Sequence, residues 1–269
     1  MAIQLVAVDL DDTLLYDDFT ISERTVAAVR AARKQGVKIA LATGRMPCSA
    51  RPYAQQLALE VPMINYHGAM IQDASSGDIF FRRVIPVNLA EEMVRFLQEK
   101  QFYVQVYLKD RVLAQELNKY SAIYEHIANV QVEQSDLRQL LKSEAEGVEK
   151  MLVVSEEQDL AELRAILDQR YGKLIHISKS KPIFLELTEI TVNKGAALAN
   201  LANLYGIARE EVMAVGDSYN DIEMIEYAGL GIAMGNARAE IQAKADIVTG
   251  TNQEDGVAQA LERYVLRRG

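Results

Sequence analysis

The sequence predicts an α/β protein: a doubly wound parallel core sheet with an α+β domain inserted into it. Three observations carry this. Short, almost continuous apolar runs alternate with helical patterns at the start of the chain; a middle stretch changes to period-2 strands; and the first texture returns from Asn193 onward.

The first run, Ile3, Leu5 and Ala7 with Val6 and Val8, suits a strand buried on both faces of a parallel sheet. It ends in acid at Asp9, Asp11 and Asp12. Ser22 stands as a helix N-cap before Glu23, Val26, Val29 and Ala32 recur at helical spacing, and Gly36 stops the helix. Val37 to Ala42 reads as a second strand ending at Thr43-Gly44-Arg45, residues 49 to 59 as a helix, and Met63 to Asn65 as a third strand. A Ser75-Ser76-Gly77-Asp78 turn then joins two short strands as a hairpin.

After Arg83 the pattern changes. Asn88 and Glu91 read as an N-cap and capping-box pair ahead of Met93, Phe96 and Leu97 on one helical face. Phe102, Val104, Val106 and Leu108 alternate with Tyr103, Gln105 and Tyr107, the pattern of a strand with one solvated face. A helix near 117–127, a strand near 148–154, a helix near 157–170 and strands near 173–178 and 182–187 complete an inserted α+β domain over 84–188. The core is then 1–83 and 189–269. Its second part reads as a helix to Tyr205, a stop at Gly206, strands at Val212 to Val215, Leu230 to Ala233 and Asp246 to Val248, each followed by a helix, the last running to the end.

Composition bounds the partners. A chain of 269 residues, 49% hydrophobic, with formal charge −9 opposes nucleic acid and anionic membrane surfaces, both of which select basic faces. No apolar run approaches the ~18 residues of a membrane span. Cys48 is the only cysteine and Met1 to Asp9 lacks the features of a signal peptide, so the reading is a cytoplasmic protein. Oligomeric state is not legible.

Open α/β sheets bind ligands at the carboxyl ends of their strands, which collects Asp9, Asp11, Thr43, Gly44, Asp217 and Asn220. Residues i and i+2 of extended chain share a face, so Asp9 and Asp11 can address one volume. Carboxylates that close repel unless a cation lies between them, and oxygen ligands without His or Cys favour Mg²⁺. Asp-X-Asp is common in solvated turns, and Thr43-Gly44 is equally a plain turn. The placement of Asp9 after a buried-type strand, matched by Gly216-Asp217-Ser218-Tyr219-Asn220-Asp221 after another, argues for a site. Lys194 opens a helix, where the dipole disfavours a cation, so it needs an anion or solvent.

Asp9-Leu10-Asp11-Asp12-Thr13-Leu14, Thr43-Gly44-Arg45, Lys194-Gly195 and Gly216-Asp217-X-X-Asn220-Asp221 together resemble the haloacid dehalogenase-like (HAD) hydrolase superfamily. The long insertion, with Ala233-Met234-Gly235-Asn236-Ala237 downstream, looks like its Cof-type sugar-phosphatase subfamily. The resemblance implies a Rossmann-like core with a type-two cap. It implies a phosphoric monoester hydrolase acting on a small phosphorylated metabolite, sugar phosphates foremost. Asp9 would be the nucleophile that forms an aspartyl-phosphate, Asp11 the acid/base, and Lys194 the charge balancer. Thr43, Gly44, Asn220 and the Leu10 N–H would hold phosphate. Asp9, the backbone carbonyl of Asp11 and Asp217 would hold Mg²⁺, with Asp221 bracing them. Arg45 would reach a substrate carboxylate or second phosphate, or else form a surface salt bridge.

Two departures from the family pattern stand out: Asp12 where Gly is frequent, and His67-Gly68 where Asn-Gly is frequent. His67 reads as a packing or hydrogen-bonding residue. Tyr103 and Tyr107 are candidates to stack on a sugar. The rival readings are a phosphomutase using the same intermediate and a non-enzymatic receiver-like module that binds Mg²⁺ and accepts phosphate. A dinucleotide-binding oxidoreductase lacks its Gly-X-Gly-X-X-Gly after the first strand.

Overall fold

The computed structural model describes residues 2–144 and 146–266. The chain divides into two compact units. The first comprises Met1–Gly44, Ala50–Phe80 and Asn193–Gly269; the second comprises Arg45–Ser49 and Phe81–Val192.

The first unit is built on a five-stranded parallel sheet. Its order is Ile247–Val248, Leu230–Ala233, Val212–Gly216, Leu5–Val8, Lys38–Leu41. Leu5 lies between Val212 and Lys38 in register, so the first strand is an interior one and all four of its residues are buried. That is the physical reason for its unbroken apolar run: a strand covered on both faces has no solvated side to populate. A parallel bridge from Ala42 to Ile64 leads into a small sheet of Met63–Asn65, Met70–Gln72 and Ile79–Arg82.

Helix Glu23–Lys34 begins where expected, with the Ser22 side chain accepting from the Thr25 N–H at 3.0 Å. Past its end Gly36 takes φ +84°, a conformation costly for any residue with a Cβ. Helix Lys194–Leu204 is capped by Asn193, whose side chain accepts from the Ala196 N–H at 2.7 Å. The expected terminal helix appears as Gly256–Leu261 continued by a wider turn over Glu262–Leu266, and its last three positions lie outside the described residues.

The second unit has a six-stranded sheet of order Ile175–Lys181, Phe184–Glu189, Lys150–Val154, Tyr103–Leu108, Arg111–Ala114, Val132–Gln134. Its pairs are antiparallel except the last, which is parallel. Val104, Val106, Met151, Val153, Leu185 and Leu187 join Met93, Leu97, Leu163 and Leu167 of the covering helices in one apolar core.

Three local expectations are corrected here. The helix predicted to start at Asn88 spans Val87–Glu99, with Pro86 as N-cap accepting from the Ala90 N–H. Proline has no N–H to lose at a helix start, so it competes successfully with the Asn88 box. The face bearing Tyr103, Gln105 and Tyr107 is buried, not solvated. Tyr120 and Tyr124 of helix Lys119–Ala128 pack on Tyr103 and Tyr107 at ring-centroid distances of 5.8 and 5.9 Å. Gln105 bonds both flanking phenols, so the polar groups on this face satisfy one another. Finally, strands Arg111–Ala114 and Val132–Gln134 and helix Leu137–Ser143 were not anticipated. Each is short, and Asp136, which caps the helix by accepting from the N–H groups of Arg138 and Gln139, was its one local signal.

Candidate active site

Asp9 directly follows strand Leu5–Val8, and its N–H still bonds the Val215 carbonyl across to the neighbouring strand. Its carboxylate is therefore fixed at the carboxyl edge of the parallel sheet, the edge at which the strand of Val212–Gly216 also ends. The chain then turns sharply. Asp11 is extended (φ −69°, ψ 132°) and Asp12 is left-handed (φ 58°, ψ 7°). Glycine suits a left-handed position best, but aspartate is among the few side chains that tolerate it, which is why Asp12 can stand in a glycine-type place. Asn236 donates to the Asp12 carbonyl at 2.7 Å and helps hold the turn.

Lys194 is fully buried. Its ammonium donates to Asp9 Oδ1 at 2.5 Å and to Asp221 Oδ1 at 2.6 Å. The anion that a cation at this helix start requires is thus supplied twice. The other oxygen of Asp221 accepts from the N–H groups of Asp217 and Ser218, at 3.0 and 2.9 Å, which closes the turn after strand Val212–Gly216. Gly216 has to be glycine here, since a Cβ would lie 2.5 Å from that of Asp221. Asp217 Oδ1 accepts from the Thr13 hydroxyl at 2.7 Å. Thr13 is a site contributor that the sequence reading passed over; its only signal was its place in the first acidic motif.

The electrostatics follow from this crowding. Burial, then Asp221, Asp217 and Asp11, push the Asp9 carboxyl well above its ordinary range against the pull of Lys194. Burial and Asp221 push Asp217 up to about 7, with the Thr13 hydrogen bond opposing. Burial pulls Lys194 down, but the Asp221 and Asp9 charges and hydrogen bonds outweigh it and hold the ammonium ionised. Asp9, Asp217 and Asp221 offer oxygens that all lie within 4.8 Å of one another. Three carboxylates thus face one ammonium, and when all are ionised the surplus of two negative charges matches one divalent cation. With oxygen donors throughout, the residues fit Mg²⁺.

A second set of residues gathers beside this cluster. Thr43 is buried, its N–H bonds the Ile64 carbonyl, and its carbonyl accepts from the His67 N–H at 3.0 Å. The His67 ring lies against Gly44 so closely that a Cβ there would fall 2.2 Å from Cε1. Asn220 meets the same ring, Nδ2 to Nδ1, at 3.0 Å. Leu10 is wholly buried. The Arg45 guanidinium donates to Ser49 Oγ and to the carbonyls of Ile127 and Ala128, where helix Lys119–Ala128 ends. A cation there complements the helix C-terminus.

Comparison with known proteins accords with this geometry. A family model described as haloacid dehalogenase-like hydrolase matches residues 6–261. The chain belongs to that family. It is 33% identical, over 97% of each chain, to the 5-amino-6-(5-phospho-D-ribitylamino)uracil phosphatase YitU of Bacillus subtilis. It is 28% identical to the pyridoxal phosphate phosphatase YbhA of Escherichia coli, covering 99% of this chain and 100% of that one. Among solved structures, the HAD subclass IIB sugar phosphatase BT4131 superposes with a TM-score of 0.86 at 25% identity, over 97% of this chain and 98% of the other. As a member of the HAD family, this chain is an enzyme of the phosphoric monoester hydrolase class.

Proposed function

We propose that this phosphatase hydrolyses a small phosphorylated metabolite, with sugar phosphates the foremost class, through an aspartyl-phosphate on Asp9 and with Mg²⁺ bound. One observation carries the reading: a buried ammonium joins Asp9 and Asp221 at the sheet edge, beside Asp217, leaving charge for one divalent ion.

In this reading the carboxylates of Asp9 and Asp217 and the backbone carbonyl of Asp11 hold Mg²⁺, and Asp221 braces them. When bound, the ion supplies positive charge to the phosphate oxygens and draws protons off the carboxylates. Phosphate esters resist hydrolysis because the dianion repels nucleophiles, so charge neutralisation is the first task. Lys194 shares it, already bonded to the oxygen of the attacking group. Asp9 attacks phosphorus in line, the P–O bond to the leaving alkoxide breaks, and Asp11 gives that oxygen its proton. Asp11 then takes a proton from the water that attacks the acyl phosphate, which frees inorganic phosphate and Asp9. The Thr43 hydroxyl and the N–H donors of Leu10, Gly44 and Asn220 hold the phosphate oxygens meanwhile.

Substrate choice is assigned to the inserted part of the chain, 84–188 by its sequence texture. The phosphatase names among relatives support small phosphate esters, and the sugar phosphatase among structural neighbours supports the sugar class. In this reading Arg45 ties the end of helix Lys119–Ala128 instead of binding substrate. The test is a phosphate-release screen over sugar phosphates, nucleotides, flavin mononucleotide and pyridoxal phosphate, with Asp9→Asn as control. Release by the wild type and none by the variant is expected. Equal release by both would remove the covalent role of Asp9.

A further inference from the structure

The tripeptide Tyr66-His67-Gly68 has an unusual backbone. Tyr66, His67 and Gly68 take φ of +51°, +58° and +107° in succession. Left-handed conformation at two consecutive residues with side chains is strained and persists only where the surroundings over-determine it. Here they do. His67 donates its N–H to the Thr43 carbonyl. Gly68 sits against Asn193, the cap of the Lys194 helix, so closely that a Cβ would lie 2.5 Å from the Asn193 carbonyl oxygen. The imidazole fills the space over Gly44 and reaches the amide of Asn220. One strained tripeptide therefore touches three loops that carry proposed site residues.

The Asn220 amide holds the decisive detail. The residue is 8% exposed, its Nδ2 faces His67 Nδ1, and its Oδ1 is buried with no hydrogen-bond partner. A buried carbonyl oxygen without a donor is costly, because its lost hydration is not replaced. The two ends of a carboxamide have the same shape, so the amide can turn over in place. Which end faces the imidazole is then decided by Nδ1. A bare Nδ1 takes an N–H from Asn220 and strands Oδ1. An Nδ1–H instead donates to Oδ1, and the NH₂ moves to the position Oδ1 had held, where it can donate to an anion.

We infer that His67 is a positioning residue for the phosphate clamp: in the ligand-bound enzyme it carries its proton on Nδ1 and so turns the Asn220 NH₂ toward a phosphate oxygen. This rests on the phosphatase reading above and adds to it the residue that orients one donor. No net proton is needed, since the neutral Nδ1–H tautomer suffices.

The chain has three histidines, so long-range ¹H–¹⁵N spectra of the unaltered protein can assign the His67 tautomer with and without inorganic phosphate. Nδ1–H in the phosphate complex is expected; Nε2–H there, with Nδ1 bare, would overturn the inference. Competitive inhibition by inorganic phosphate supplies the energetic test. His67→Phe keeps a ring over Gly44 but removes Nδ1, and should weaken phosphate about 10-fold, a loss typical of one hydrogen bond to a charged group. Asn220→Ala should do much the same. The double variant should be no worse than Asn220→Ala, because His67 acts through that amide. A purely structural His67 would instead give additive losses, or a falling melting temperature with unchanged phosphate affinity, and either result would overturn the assignment. Should His67→Phe fail to fold, the spectra still decide. A wild type that neither binds nor releases inorganic phosphate would count against the phosphatase reading, a different failure from a wrong tautomer.

Discussion

Each unit of the molecule buries lysine against carboxylate, and the contrast between the two places separates the proposed reaction site from scaffold. In the first unit Lys194 meets Asp9 and Asp221 with Asp217 close by, an excess of negative charge. In the second unit Lys150 meets Glu186 at 2.9 Å, with both side chains at most 5% exposed. The Ser180 hydroxyl bonds the other Glu186 oxygen, and the Lys150 ammonium lies 4.3 Å from the centre of the Tyr107 ring, its cross-strand neighbour. That pair is balanced and packed by aromatic rings. The first cluster is unbalanced, with two carboxyls pushed upward, and it can relax only by taking up protons or a cation. Burial of charge is common to both; a surplus of one sign marks the site.

The largest expected effect tests that surplus. Lys194→Ala leaves three carboxylates, two of them buried, with no organic cation between them, and turnover should fall on the order of 10³-fold, the scale of losing a preorganised charge partner. Lys150→Ala should leave turnover on a small activated ester such as p-nitrophenyl phosphate within about threefold, because no reacting group depends on it in the proposed mechanism. Steady-state kinetics on both variants would break the contrast if the two losses were alike.

Stability should respond in the opposite sense. Lys150→Ala strands Glu186 in the interior, which costs roughly 3–5 kcal/mol for a buried pair broken on one side. The double variant Lys150→Met, Glu186→Leu should regain most of that loss, since a balanced buried pair is often no better than apolar residues of similar size. Urea unfolding of the three proteins measures this. A double variant as unstable as the single would show that Tyr107 and Ser180 depend on the charges themselves.

The same contrast bears on what the sequence makes legible. The α/β class, the first buried strand and the Ser22 cap are visible because each rests on local rules: unbroken apolarity for a doubly covered strand, and a hydroxyl before a helical period. The rule that ligands gather at strand ends collects Asp9 and Asp217, whereas Lys194 is singled out by its place at a helix start and Asp221 only through the family resemblance. What failed was non-local. Tyr103, Gln105 and Tyr107 alternate with apolar residues as a solvated face would, and nothing near them in sequence announces that Tyr120 and Tyr124 cover them. Arg45 follows Thr43-Gly44 and so invites a substrate role, yet its guanidinium bonds carbonyls more than 80 residues away as well as the nearby Ser49 hydroxyl, and the distant contacts have no local signal. Thr13 and His67 act through contacts with Asp217 and Asn220, which no spacing rule predicts.

The smallest effect, and the one that most sharpens the comparison, is the proton balance of metal binding. Asp217 has its carboxyl pushed from 3.8 up to about 7 by burial and by Asp221. A carboxyl raised in the folded state favours the protonated form. Its contribution to stability is full below the unfolded value near 4 and is lost as pH rises through about 7. The metal-free protein should therefore lose stability across that window, while Mg²⁺, which binds the ionised carboxylates, should restore more of it the higher the pH. Binding must also release the protons it displaces. Near pH 6 Asp217 alone should give up close to one proton per ion, and near pH 8 close to none; Asp9, also raised, adds to the release. Titration calorimetry of Mg²⁺ in buffers of different ionisation heat reads this number directly, and Lys150→Ala should leave it unchanged. Mg²⁺ affinity that is flat from pH 6 to 8, with no proton released at pH 6, would mean that the acidic cluster is not where the ion binds.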